Sequence, residues 1–195
     1  MLDDFIGYVR FFTLLLPIII PIMALFDSVF NSNLKGFIYI LGLLLTMGTA
    51  LSIASLISTE TKQQPDDACN IFDKGKWGTV NQTRPGTHAV MLAYTFAYLL
   101  LPMIVNSTIN WWLISTLSLF ILLNAGIRKG LKCTDHIGIL CGWLIGGIVG
   151  AGWYLFINNV TGSSNLTYFG AQKSDKQQCS YRNKTFKCTK SKPAT

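Results

Sequence analysis

Five runs of apolar residues, each close to twenty long, account for most of the chain. About 20 apolar residues in a helix span the ~30 Å hydrocarbon core of a bilayer. The runs Phe11–Phe30, Phe37–Ser58, His88–Val105, Trp111–Ile127 and Ile137–Ile157 are therefore predicted to be transmembrane helices. A soluble domain of 195 residues would not need 50% hydrophobic and only 13% charged residues distributed in this blocked pattern. The expected fold is an all-α integral membrane protein with five transmembrane helices. Its membrane domain covers 1–157, interrupted by a polar loop at 59–87, and a basic polar tail runs over 158–195.

The first run does not resemble a signal peptide. Asp3 and Asp4 stand where a cationic region is expected, and no small-residue cleavage site follows Phe26. It is expected to stay in the mature chain. Pro17 and Pro21 lie inside it and predict a bent or broken helix packed against neighbours that satisfy the freed carbonyls.

Small residues mark the packing faces. Gly42, Thr46, Ala50 and Ala54 recur every fourth position in the second run, as do Ala89, Ala93 and Ala97 in the third. The fifth run carries Gly138, Gly142, Gly146 and Gly150 on one face. Without a hydrophobic drive between helices in lipid, such stripes permit close approach. The glycine face is predicted to pack on the second or third helix. Trp111 and Trp112 read as an interfacial anchor.

The cysteines suggest two pairings, Cys179 with Cys188 in the tail and Cys69 with Cys133 in the two loops of the other face. Five crossings put the pairs on opposite sides, and only one side is ordinarily oxidising. Glycosylation sequons show the same split, Asn81 on the loop side and Asn165 and Asn183 on the tail side. Orientation stays open. Two histidines and scattered cysteines supply no zinc set of ordinary spacing, and no cofactor is implied. A channel or transporter is disfavoured, since no acidic or basic residue falls deep in a run.

One cluster stands out at the start of the third run: Arg84-Pro85-Gly86-Thr87-His88. Ionisable groups cost ~2.5–3.5 kcal/mol each at mid-membrane on insertion scales, so this cluster belongs at the interface. Arg128, Lys129, Lys132, Cys133, Thr134, Asp135 and His136 form a compact polar connection on the same membrane side.

With Arg128 and the glycine-spaced fifth helix, the cluster resembles the type 2 phosphatidic acid phosphatases (PAP2-like membrane phosphatases). That family places Pro-Ser-Gly-His at a helix start. It then has Arg-x5-His-x3-Asp one helix later, before a helix with regular glycines. The resemblance covers roughly residues 73–151 and implies a PAP2-like helical bundle core. In such enzymes one histidine attacks phosphorus, an aspartate orients it, and a second histidine protonates the leaving group. Cations and helix-start amides hold the phosphate.

Carried over by position, the resemblance makes His88 the acid. Arg84, Lys76, Arg128 and the amides of Gly86 and Thr87 become the phosphate ligands. The nucleophile falls on Thr134 and its aspartate on Gly138, while His136 and Asp135 lie nearby, out of register and in reverse order. The Lys-x6-Arg-Pro motif has no match.

Two functions stay open. The preferred one is a catalytically inactive structural or scaffolding subunit of a larger membrane assembly, in an organelle, the endoplasmic reticulum or the internal membrane of a large virus. The other is a lipid phosphate or diphosphate phosphatase using His88, His136 and Asp135, reached by a shift of the fifth helix's start. Expected partners are the bilayer, anionic or phosphorylated lipids, other protein subunits, and an acidic partner for the tail, whose seven cations from Lys173 to Lys192 oppose only Asp175.

Overall fold

The computed structural model describes residues 2–56, 85–161, 177–182 and 185–190. Five helices follow in order: α1 (Leu2–Phe30), α2 (Lys35–Leu56), α3 (Thr87–Val105), α4 (Trp111–Gly130) and α5 (His136–Thr161). All five are long and apolar enough to cross a membrane. Two strands in the tail, β1 (Gln177–Arg182) and β2 (Thr185–Lys190), pair antiparallel with Cys179 opposite Cys188. The sequence predicts a polar, basic tail with a candidate Cys179–Cys188 pairing but no strands, so this hairpin adds a second kind of element to the described residues.

Helix α1 passes through Pro17 and Pro21 without a break. A proline at position 17 removes the hydrogen bond that residue 13's carbonyl would accept. The Asn124 side-chain amide, buried on α4, donates to that carbonyl at 2.8 Å. The neighbouring helix supplies the missing donor, so the break does not occur.

Helices α1, α3 and α4 end in the same way. Each closes with a residue in left-handed conformation: Ser32 (φ 48°), Ser107 (φ 51°) and Lys132 (φ 57°). The residue after it returns its amide to a carbonyl five residues back, in Asn33 to Ser28, Thr108 to Met103 and Cys133 to Arg128. This closure is usually built on glycine. Here three side-chain-bearing residues take it.

Helix α3 is the centre of the bundle. The glycine face of α5 lies directly on its backbone. A Cβ placed on Gly142 would sit 2.8 Å from the Gly86 carbonyl oxygen, and one on Gly150 would sit 2.9 Å from that of Tyr94. One on Gly146 would run still closer into the Val90 carbonyl oxygen. The partner of the glycine face is thus the third helix. The small stripe of α2 is buried along Gly42, Thr46, Ala50 and Ala54.

Between these contacts lies an aromatic core of Tyr39, Tyr94, Tyr98 and Tyr154, each at most 1% exposed. The Tyr94 hydroxyl donates to the Tyr39 carbonyl at 2.8 Å, and the Tyr39 hydroxyl lies 2.7 Å from Thr95 Oγ1. Trp153 Nε1 donates to the Ile38 carbonyl at 3.1 Å and joins α5 to α2. In hydrocarbon, unpaired polar groups are costly, so these bonds fix helix rotation as well as adding stability. Leucine, isoleucine and phenylalanine side chains on the outer faces, such as Leu44, Leu122, Ile148 and Phe156, are exposed as a lipid-facing surface requires.

Candidate functional site

The start of α3, the end of α4 and the start of α5 meet on one membrane face, and their joining geometry decides which side chains share a site. The Gly86 amide donates to the Gly138 carbonyl at 2.9 Å, which ties α3's first turn to α5's. That amide was expected to serve a phosphate. It is already used, so the helix-start contribution falls to Thr87 and the residues after it, whose amides begin α3.

The reversal after α4 sets the register. Lys132 adopts the left-handed conformation, the Cys133 amide returns to the Arg128 carbonyl at 2.9 Å, and the chain folds back over the last turn of α4. Thr134 is thereby buried beside Arg128, whose guanidinium Nη2 donates to its Oγ1 at 3.3 Å. Gly86 lies against the same threonine: a Cβ on it would be 3.0 Å from Thr134 Cγ2. Asp135 is committed to the helix, its Oδ1 accepting from the Gly138 amide at 2.9 Å as an N-cap. His136 follows as the first residue of α5 and is exposed.

His88 occupies the first turn of α3, half-buried, within electrostatic reach of Arg128. Its Nδ1 is buried and has no hydrogen-bond partner among the described residues. A small cavity of about 10 Å³ lies between α3, α4 and α5, lined by Gly86, Asn124, Arg128, Thr134, Ile139 and Trp143 among others. One water needs ~10–15 Å³, so this space takes a water and not a phosphate. Any anion would have to approach Arg128 from the aqueous side.

No family model, curated protein or solved structure matches this chain. Its own residues carry the functional reading.

The structure brings together Arg128, Thr134 and Gly86 at the cavity, and leaves His88 off its lining, within electrostatic reach of Arg128. It does not bring His136 to the cavity, and Asp135 faces its own helix. Arg84, Lys76, Cys69, Asn81, Asn165 and Asn183 lie outside the described residues. Cys133 is buried and is not a free thiol, whereas Cys141 is free. No group of three or more histidine, cysteine or acidic residues among the described ones could hold a metal.

Sequence reasoning missed Asn124, which lines the cavity and also anchors α1. A lone amide in an apolar run, with a proline in another run freeing a carbonyl, was the available signal.

Proposed function

We propose that this chain is a non-hydrolytic PAP2-like membrane protein that serves as a structural subunit of a membrane assembly and holds an anionic lipid headgroup at Arg128. The observation that carries this reading is the place of Thr134. It sits beside Arg128, where the resemblance calls for a nucleophilic histidine, and its hydroxyl is bonded to that arginine. His136 and Asp135, which the phosphohistidine reading needs, are an exposed helix-start residue and a helix cap.

Arg128, the α3 N-terminus and the loop cations Arg84 and Lys76 suit a phosphate without a group to attack it. The basic tail suits anionic headgroups or an acidic protein surface on the opposite face. A virion internal membrane, the endoplasmic reticulum or another organelle are all compatible settings.

The second reading, a lipid phosphatase, draws on the proximity of His88 and Arg128. It requires α5 to begin later, so that His136 replaces Thr134 beside Arg128. The discriminating experiment is a metal-free phosphate-release assay on purified protein with short-chain phosphatidic acid and isoprenoid diphosphate. The structural reading expects no turnover, together with binding of phosphatidic acid that weakens in Arg128→Ala. Turnover lost in His136→Ala would overturn it.

A further inference from the structure

A second cavity, of about 350 Å³, lies on the other half of the bundle between α1 and α4, with Tyr39 of α2 and Leu99 of α3 at its back. Its volume falls within the ~300–1,000 Å³ of ordinary ligand sites, which are likewise mostly apolar with a few placed polar groups. The wall is almost wholly aliphatic and aromatic, and the polar exceptions include Asp27 and Thr116.

Its shape follows from the helix pairing. The Asn124–Thr13 bond holds α1 and α4 together at one end. Toward the opposite membrane face the two helices leave a slot between them, lined on α1 from Leu16 to Asp27. At 1.5 Å per residue that wall is about 16 Å long. One leaflet, half of a ~30 Å hydrocarbon core, is about 15 Å. Met23 on α1 is exposed beside the slot and Thr116 on α4 likewise, so the opening faces the lipid and not the bundle interior.

Asp27 stands at the polar end of this slot, in the last turn of α1 and exposed. Its Oδ1 accepts from the Asn31 side-chain amide at 2.8 Å, and no cation pairs with it among the described residues. A carboxylate at the interfacial end of a leaflet-length apolar slot presents a negative point where a headgroup would lie. An acidic headgroup would be repelled there. An ammonium would be held.

We propose that this slot binds one acyl chain of a zwitterionic phospholipid, with the choline or ethanolamine ammonium on Asp27. The site lies on the membrane face opposite Arg128 and is independent of whether the Arg128 cluster binds or hydrolyses anything.

The probe is phosphatidylcholine bearing a photoactivatable group on one acyl chain, with phosphatidylglycerol carrying the same chain as comparison. The full-length protein is reconstituted into vesicles, and cross-linked positions are mapped by peptide mass spectrometry. The expected pattern is enrichment at Met23, Leu117 and Phe120 over the outer face of α2 at Leu44 and Leu45, several-fold stronger for phosphatidylcholine. Thr116→Trp, placed on the exposed rim so that the core is untouched, should remove slot labelling and leave α2 labelling unchanged. Asp27→Asn should keep slot labelling and abolish the headgroup preference.

Equal labelling of slot and α2 face, or slot labelling that survives Thr116→Trp, would overturn the chain site. A phosphatidylcholine preference that persists in Asp27→Asn, or an initial preference for phosphatidylglycerol, would overturn the role of the carboxylate.

Discussion

The Asn124 side-chain amide of α4 donates to the Thr13 carbonyl of α1, at the position where Pro17 removes the helix's own donor. Pro17 and Asn124, 107 positions apart in the chain, are thus one device. Asn124→Leu should lower stability by about 1–2 kcal/mol, at the upper end for a side-chain hydrogen bond within a membrane protein. In a Pro17→Ala background the new amide at position 17 satisfies Thr13, and the same substitution should then cost much less. Unfolding of the four variants in mixed micelles measures this coupling. Additive effects would show that the proline and the asparagine act separately.

The glycine face of α5 makes a sharper steric prediction. Gly146→Ala drives a methyl group into the Val90 carbonyl and the α3 backbone, and should destabilise by about 1–3 kcal/mol. Gly147, its neighbour, faces open space. Gly147→Ala should be neutral or stabilising by up to about 1 kcal/mol, since alanine is the better helix former. Thermal unfolding of the two variants side by side separates packing from helix propensity, because the substitution is identical and only the face differs.

Much of this was legible in the sequence because hydrocarbon imposes a strict rule: a spanning segment must be apolar, long and helical. The five runs and the four-residue spacing of small side chains follow from that rule, and so does the burial of the α5 glycine face against a neighbour, which the sequence left open between α2 and α3 and the structure shows to be α3. Helix boundaries were less exact. Charged residues at the ends, such as Asp3, Asp4, Lys35 and Lys129, fall outside an apolar run yet belong to the helix.

The candidate site was harder to read. Whether Thr134 or His136 reaches Arg128 depends on how α4 closes. That closure uses Lys132 in a conformation usually signalled by glycine, so composition gave no hint of it. The core tyrosines were missed for a related reason. The hydroxyls of Tyr39 and Tyr94 pair across helices, with partners far away in the chain.

Disulfide chemistry and orientation are linked. Cys133 is not a free thiol, and a bridge from it to Cys69 would make the Arg128 face the oxidising one. Mass mapping of unreduced protein should find Cys69 joined to Cys133, a glycan on Asn81 where the host membrane glycosylates, and reduced Cys179 and Cys188. The basic tail would then lie on the reducing side; lysines and arginines are divided evenly between the two faces, so the positive-inside rule does not choose between the orientations. A Cys179–Cys188 bridge, which the facing register of β1 and β2 would accommodate, or glycans on Asn165 or Asn183, would reverse the orientation.

Anion recognition at Arg128 should depend on geometry as well as charge. Arg128→Ala is expected to weaken binding of short-chain phosphatidic acid about tenfold or more, the loss associated with one charge-assisted contact. Arg128→Lys should recover only part of it, because a lysine lacks the planar fork that meets two phosphate oxygens. Calorimetric titration in detergent distinguishes the three proteins. Equal affinities would remove Arg128 from the binding site.

The central claim is that Thr134, and not His136, is the residue beside Arg128, and the proposal resting on it is a chain without phosphohistidine chemistry. The most direct measurement is phosphate release from short-chain phosphatidic acid by the purified protein in chelator, with His136→Ala and Arg128→Ala preparations measured in parallel. The account predicts the same background rate for all three. Turnover by the native protein that disappears in His136→Ala would contradict it.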